Sequence, residues 1–477
     1  MTSSNGDDAG GVRVEHDSLG TREIPALAYY GIQTQRAVEN FAISGFAIST
    51  FPHFIRALAL IKKACTHANV DLGILPRPIG EAIARTCDEI IAGKLHDQFV
   101  VDVIQGGAGT SSNMNANEVI ANRALELLGR ARGDYAACHP NDHVNLSQST
   151  NDVYPTAVKL SLYTNLDDLT AAMAELKTAF EAKELELADV IKLGRTQLQD
   201  AVPMTLGREL STYAVMIGED IQRLQEARQL LREHNLGATA IGTGINAPDG
   251  YAELTNRYLN EFGQLSFITS PNLVEATQDA GVFVQLSGVL KRFAVKLSKT
   301  CNDLRLLSSG PRAGLHEINL PAVQPGSSIM PGKVNPVIPE VVNQICFQVI
   351  GNDVTVTMAA EGGQLQLNAF EPIILFNLQR SIDLLARGCR TLTRRCVQGI
   401  TANRDVCRVY VERSIGLATA LNPLLGYEKS AEVAKEALRS GRTVGEVALA
   451  KGYLTPEQLD EILRPENMLA PTRSRKG

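Results

Sequence analysis

The chain has 477 residues, with 52 acidic against 46 basic side chains and a net charge of −6. That length accommodates two or three domains and buries most of the surface an unfolded chain exposes. The acidic balance argues against a nucleic-acid footprint, and no run reaches the roughly 18 to 20 apolar residues of a membrane span, so neither nucleic acid nor membrane is an expected partner.

Residues 1–11 are polar, acidic and rich in Gly and Ser, unlike a signal peptide or an anchor, and a cytoplasmic location is expected. The first 148 residues read as a mixed, mostly helical domain, with helices over 54–70 and 79–92. Its first chemical cluster is Gln105-Gly106-Gly107-Ala108-Gly109-Thr110-Ser111-Ser112-Asn113-Met114-Asn115. Glycines followed by hydroxyls, running into a helical pattern after Asn117, place donors at a helix N-terminus, where partial positive charge favours an anion. A nucleotide phosphate loop is disfavoured because no Gly-Lys-Ser/Thr follows and no convincing strand precedes, and a plain capping turn is the alternative reading.

A second cluster joins His139-Pro140-Asn141-Asp142-His143-Val144-Asn145 to Ser147-Gln148-Ser149-Thr150-Asn151-Asp152. Pro140 marks a turn, and Ser149, Thr150 and Asn151 stand where a long helix is about to begin. Capping accounts for one or two of these polar groups, not for all. His139 and His143 lack a third ligand and read as structural, so no metal site is assigned.

From 149 to 402 the chain reads as a central bundle of long helices. Leu162, Leu166, Leu169, Met173, Leu176 and Phe180 follow alternating steps of four and three. A second helix is read through Leu206, Leu210, Tyr213, Ile217, Ile221 and Leu224, a third through Phe283 to Leu304, and two more over 341–360 and 372–397. Helices of roughly 30 residues span about 45 Å, more than one compact domain needs, so their apolar faces are expected to pack against other copies of the chain. Between the first two helices lies Gly194-Arg195-Thr196-Gln197-Leu198-Gln199-Asp200-Ala201-Val202-Pro203, and the segment 237–244 reads as a glycine-punctuated, close-packed turn.

Four prolines (321, 325, 331, 336) and two glycines (326, 332) make 321–336 a loop. Within it, Gly326-Ser327-Ser328-Ile329-Met330-Pro331-Gly332-Lys333-Val334-Asn335-Pro336 assembles two hydroxyls, an ammonium and a carboxamide beside glycines that let backbone amides approach a ligand. That is a kit for holding an anion. Residues 403–477 form a small helical domain in which Thr443-Val444-Gly445-Glu446 and Thr455-Pro456-Glu457-Gln458 fit the capping box. The basic cluster Arg473-Ser474-Arg475-Lys476 reads as a solvated tail. The eight cysteines (65, 87, 138, 301, 346, 389, 396, 407) form no CxxC pair and read as reduced core thiols.

The eleven-residue loop resembles the signature of the aspartase/fumarase superfamily, whose members eliminate across a C–N or C–O bond and release fumarate. Asp17-Ser18-Leu19-Gly20, Ala28-Tyr29-Tyr30-Gly31-Ile32-Gln33-Thr34, the segments 195–206 and 302–315, and Gly363-Gln364-Leu365-Gln366-Leu367-Asn368 resemble its aspartate ammonia-lyase branch. The resemblance implies a mainly α, three-domain lyase whose central long-helix bundle joins a tetrameric multi-helix core, with each active site built from three chains. It further implies Ser327 as the base that removes the β-proton. Thr110, Asn113, Ser149, Thr150, Asn151, Thr196, Ser328, Lys333 and Asn335 are the implied substrate-binding residues, with Lys333 pairing the α-carboxylate; Gln197 and Glu340 are supporting positions. The implied reaction is reversible deamination of L-aspartate to fumarate and ammonia without an organic cofactor, although some relatives respond to divalent cations. The nearest alternative is a class II fumarate hydratase. Against it, Gln197 stands where hydratases carry a histidine, and a carboxamide cannot transfer protons. A lyase of a larger succinyl conjugate and a non-catalytic structural relative are weaker alternatives.

Overall fold

A computed structural model describes residues 11–462; most of the polar opening segment and the basic tail cluster lie outside them. The elements in chain order are the hairpin β1 (Val12–Asp17) and β2 (Gly20–Pro25), then helices α1 (Ile32–Asn40), α2 (Pro52–Asp71), α3 (Arg77–Ile91), α4 (Thr110–Leu127) and α5 (Thr150–Glu186). A second hairpin, β3 (Ile191–Thr196) and β4 (Gln199–Thr205), leads into α6 (Leu206–Leu230), followed by β5 (Glu233–His234), α7 (Tyr251–Gly263), β6 (Ile268–Thr269), α8 (Leu273–Ala276) and α9 (Gly281–Leu307). The chain continues through β7 (Ile318–Asn319), α10 (Val337–Glu361), α11 (Glu371–Arg395), β8 (Thr401–Ala402), α12 (Arg404–Arg413), α13 (Ala418–Ser440), α14 (Val444–Ala450) and α15 (Pro456–Ile462). The strands pair only two by two, so the fold is mainly α. No helix of the described residues is long and apolar enough to cross a membrane.

The five long helices appear where the apolar spacing put them. On α5 the heptad-like set Leu162, Leu166, Leu169, Met173, Leu176 and Phe180 is at most 1 % exposed, so one continuous stripe buries the side chains that hold the helix in place. Leu187 lies one residue beyond the helix end. Pro155 sits inside α5 without breaking it. It cannot donate to the Asn151 carbonyl four residues back, and the Asn235 carboxamide supplies that bond instead, at 3.0 Å.

Two compact units can be described. One comprises residues up to Leu169, Arg223–Arg292 and Gln348–Leu384; the other comprises Thr170–Gln222, Phe293–Phe347 and the chain from Leu385 onward. In the first, α2, α3, α4 and α7 pack around Phe54, Leu58, Ile61, Cys65 and Ile83, all inaccessible to solvent. Polar ties cross its long helices: Asn165 donates to Gln379 (2.6 Å) and Asp383 (2.9 Å), and Ser287 and Lys291 both reach Asp353. In the second, the carboxy-terminal helices gather around Leu193, Val411, Leu417, Leu421 and Val433. Both capping boxes form there, with Thr443 and Glu446 bonding reciprocally and Thr455 and Gln458 doing the same. All eight cysteines are free and buried.

Three local expectations are corrected. Helix α4 begins at Thr110, seven residues before Asn117, because the left-handed run Gly107, Ala108 and Gly109 ends at its first turn. Residues 191–205, expected only as a connection between helices, form an antiparallel hairpin. The turn at Pro140 is a five-residue π-helical segment, Pro140–Val144, in which His139 Nδ1 accepts the amides of Asn141 and Asp142 and His143 Nδ1 accepts the amide of His139.

Candidate active site

In the first unit the expected site residues form one group; in the second they lie at separate places, the tip of the 191–205 hairpin, the 326–335 loop and the first turn of α10. In the first unit, Thr110 and Asn113 occupy the opening turn of α4, where Thr110 Oγ1 donates to the Gly107 carbonyl at 2.8 Å. Gly109 has φ +90°, and an added Cβ would lie 2.2 Å from the Tyr154 ring, so the turn into α4 needs glycine there twice over. Asn113 is 1 % exposed, and its Nδ2 donates to Thr150 Oγ1 (3.1 Å) and Asn145 Oδ1 (3.2 Å), while its Oδ1 has no partner among the described residues. Two residues 37 apart in sequence thereby meet at the first turn of α5. Ser149 and Asn151 flank Thr150. Ser149 Oγ accepts the Asn151 amide at 3.2 Å, and the Asn151 carboxamide is engaged with the Ala240 carbonyl at 2.8 Å.

Beneath this group lies a cation that the sequence reading missed. Lys62, inaccessible to solvent, donates to Asn145 Oδ1 and Gln148 Oε1, each at 2.9 Å, and burial lowers its pKa to about 8. Asn145 Oδ1 also accepts from Asn117 at 3.2 Å. The signal was a lysine inside the apolar face of the predicted 54–70 helix, which by itself does not distinguish a buried ammonium from one that reaches out to solvent.

In the second unit, Thr196 ends β3, and Gln197 and Leu198 form a two-residue turn with φ of +54° and +62°. Both central residues are left-handed, as a type I′ hairpin requires, and the turn holds Thr196 and Gln197 at an exposed tip. Charge anchors the hairpin along β3. Glu317, fully buried, accepts from Arg195 at 2.6 Å, and Lys192 Nζ lies 2.8 Å from its other oxygen as an ion pair outside hydrogen-bonding geometry; Lys192 also donates to Glu209 at 2.5 Å.

The 326–335 loop closes on itself. The Gly326 amide donates to the Lys333 carbonyl at 2.8 Å, and Asn335 Nδ2 donates to the Gly326 carbonyl at 2.7 Å. Inside that closure, Ser327 Oγ accepts two backbone amides, from Met330 at 2.9 Å and Ile329 at 3.2 Å. Ser327 is half-buried, while Ser328 and Lys333 are exposed; Glu340 lies half-buried in the first turn of α10. Ser327 and Asn335 are thus joined through Gly326, and no hydrogen bond joins the Ser328 or Lys333 side chain to them among the described residues. Two amides aimed at one serine oxygen favour its anion, as amide donors favour a carboxylate.

Comparison with known proteins decides the family. Residues 20–351 match the family model described as Lyase, and residues 417–470 match the one described as Fumarase C C-terminus. The chain belongs to the lyase family of aspartases and fumarases. It is 60 % identical to the aspartate ammonia-lyase of Helicobacter pylori over 98 % of this chain and 99 % of that one. A fumarate lyase/delta crystallin from Brucella melitensis, solved bound to cobalt, superposes with a TM-score of 0.95 at 61 % identity, covering 97 % of this chain and all of that one. A class II fumarase from Schistosoma mansoni superposes with a TM-score of 0.92 at 36 % identity, over 97 % of this chain and all of that one. Among the described residues no group of three or more His, Cys, Asp or Glu side chains is arranged to hold a metal ion.

Proposed function

We propose that this lyase deaminates L-aspartate reversibly to fumarate and ammonia, with Ser327 as the base. The observation that carries the assignment of the base is the pair of amides on Ser327 Oγ. A serine hydroxyl has two acceptor lone pairs. As an alkoxide it has three, so two remain bonded to the amides while the third takes the proton from the substrate β-carbon. The electrons of that C–H bond first collect on the adjacent carboxylate as an enolate-like, aci-carboxylate dianion. They then return to form the carbon–carbon double bond as the C–N bond breaks. Ammonia leaves already carrying its protons, so no general acid is needed, and Gln197 at the hairpin tip suits that chemistry where a hydratase would require a proton donor.

In this reading Lys333 pairs the α-carboxylate, while Thr110, Asn113, Ser149, Thr150, Asn151, Thr196, Ser328 and Asn335 bind the substrate, with Gln197 and Glu340 in support. The similarity to an aspartate ammonia-lyase at 60 % identity, against 36 % to a class II fumarase, favours the amine over the hydroxyl as leaving group. The proposal includes the three-domain division at 148/149 and 402/403, a cytoplasmic location, no organic cofactor, and a divalent cation as an activator rather than a reactant. It also includes a homotetramer whose sites draw on three chains. In support, α10 leaves Val341, Phe347, Val354 and Met358 from 41 to 69 % exposed, an apolar series suited to another copy.

The test is to incubate purified protein with L-aspartate and with L-malate while following fumarate absorbance. Turnover of aspartate is expected, and activity on malate alone overturns the proposal. Ser327→Ala should abolish turnover and leave the oligomer intact; substantial residual activity would reassign the base.

A further inference from the structure

Lys62 lies beneath the first turn of α5 with no carboxylate to pair it. Among the described residues no acidic side chain comes within ion-pair distance of its ammonium, and Asp152 acts on it only through space. Its hydrogen bonds go to two carboxamides, at Asn145 Oδ1 and Gln148 Oε1. An ammonium has donors and no acceptor, so it admits only the oxygen ends of both amides. The nitrogen ends agree. Asn145 Nδ2 donates to the Gln148 carbonyl at 3.2 Å, and Gln148 Nε2 donates to the carbonyls of Val144 (3.0 Å) and Leu146 (3.1 Å). Both carboxamides are held in one sense by partners that accept no other.

That sense is passed on to Thr150. Asn145 Oδ1 also accepts Asn113 Nδ2 and Asn117 Nδ2, each at 3.2 Å, and Asn113 Nδ2 gives its second N–H to Thr150 Oγ1 at 3.1 Å. Toward the interior Thr150 Oγ1 is therefore an acceptor, which leaves its own proton for another partner. No acceptor for that proton is found among the described residues, and Thr150 is half-buried, within reach of solvent. Were the Asn145 amide turned over, Asn113 would turn with it to present oxygen, and the Thr150 proton would point inward to that oxygen. The two senses differ in whether the hydroxyl donates to what lies outside it. Burying an ammonium among neutral amides is costly; what it secures here is one sense for the whole chain of bonds.

We propose that Lys62 and Asn145 are positioning residues for substrate binding: they fix the sense of the hydrogen-bond chain that runs through Asn113 to Thr150, so that the Thr150 hydroxyl donates to a carboxylate of the substrate. The inference rests on the reading of Thr150 as a substrate-binding residue. Both residues act through Asn113 on Thr150 rather than on the substrate. Lys62 matters in this scheme because it has no acceptor, not because its charge attracts a dianion from a distance, and the two effects separate by experiment.

Lys62→Met, Asn145→Leu and Thr150→Val are made singly, and each of the first two is combined with Thr150→Val. For all of them kcat and KM for L-aspartate are measured, together with the dissociation constant of succinate, a dicarboxylate that cannot eliminate ammonia. Each single variant should raise KM and the succinate constant about tenfold, as loss of one hydrogen bond to a charged group implies, with kcat changed less than KM. Because all three remove the same contact, each double variant should stay within about twofold of Thr150→Val alone. Attraction of the dianion by a buried charge would instead compound Lys62→Met and Thr150→Val to about a hundredfold and leave Asn145→Leu, which keeps the ammonium, near wild type. Either result overturns the inference, as does a Lys62→Met variant with KM and succinate constant within about twofold of wild type. If Lys62→Met does not fold, Asn145→Leu and its double variant decide by the same criteria. Wild-type succinate binding by Thr150→Val removes the reading of Thr150 and overturns the inference with it. Failure of the wild-type chain to release fumarate from aspartate sinks the proposed reaction instead, and the succinate constants still decide the role of Lys62.

Discussion

Replacing Gly326 with alanine tests whether the closure of the 326–335 loop matters to catalysis. The new Cβ would lie 2.7 Å from both the Asn335 nitrogen and the Lys333 oxygen, and 3.0 Å from the Val334 Cα. Ordinary carbon contacts begin near about 3.5 Å, so the facing strand of the loop must retreat by roughly 0.8 Å to relieve the first two. The Gly326 to Lys333 bond, now 2.8 Å, would then stretch beyond the usual hydrogen-bond range of about 3.2 Å. Asn335 would lose its hold on the Gly326 carbonyl with it. Each bond contributes about 1 kcal/mol net, so the closed loop loses about 2 kcal/mol relative to open forms, partly offset in the whole protein by the smaller chain entropy of alanine. A displacement of this size at a reacting group costs about 10²-fold in rate. Initial rates of fumarate formation should therefore show kcat reduced about a hundredfold, while the denaturation midpoint at fixed protein concentration moves little. A Gly326→Ala enzyme retaining kcat within about threefold of wild type would refute the argument that this closure sets the position of Ser327.

Glu317→Ala leaves Lys192, 1 % exposed, with Glu209 alone and strips Arg195 of its carboxylate. Breaking a buried pair in this way costs about 3 to 5 kcal/mol, measurable by urea denaturation, and a loss under about 1 kcal/mol would show that the hairpin is not held by charge. Glu371 is 4 % exposed, and burial pushes its pKa up to about 8. Its native pKa lies above the unfolded value near 4.5, so the native state retains a proton that the unfolded chain releases, and this group's contribution to stability falls as pH rises from about 4.5 to 8. Glu371→Gln should remove that slope and make the protein more stable than wild type at pH 8, by up to a few kcal/mol; identical pH profiles of the unfolding free energy would contradict this.

Much of the fold was legible in the sequence because helical periodicity is a local property. The stripe from Leu162 to Phe180, the two capping boxes and the proline-broken loop at 321–336 each follow from residues within one or two turns of one another. The hairpin at 191–205 was not legible: Gln197 and Leu198 are unusual residues for a left-handed pair, and nothing nearby in sequence announces the Glu317 carboxylate that holds β3 from 122 residues beyond Arg195. Buried polar pairing is likewise invisible along the chain, as Lys62 and Asn145 show, since a lysine on an apolar face either pairs inside or reaches out to water depending on partners brought from elsewhere.

The sequence by itself determined the residue types at the candidate site and the helices that carry many of them, because spacing and turn chemistry act over a few residues. Only the tertiary structure decided how several of those groups are spent: Asn113 on Thr150 at the start of α5, Asn151 on a distant turn, and Glu317 on Arg195. Hydrogen bonds between residues far apart in the chain are allotted by distance in space, which sequence separation does not reveal.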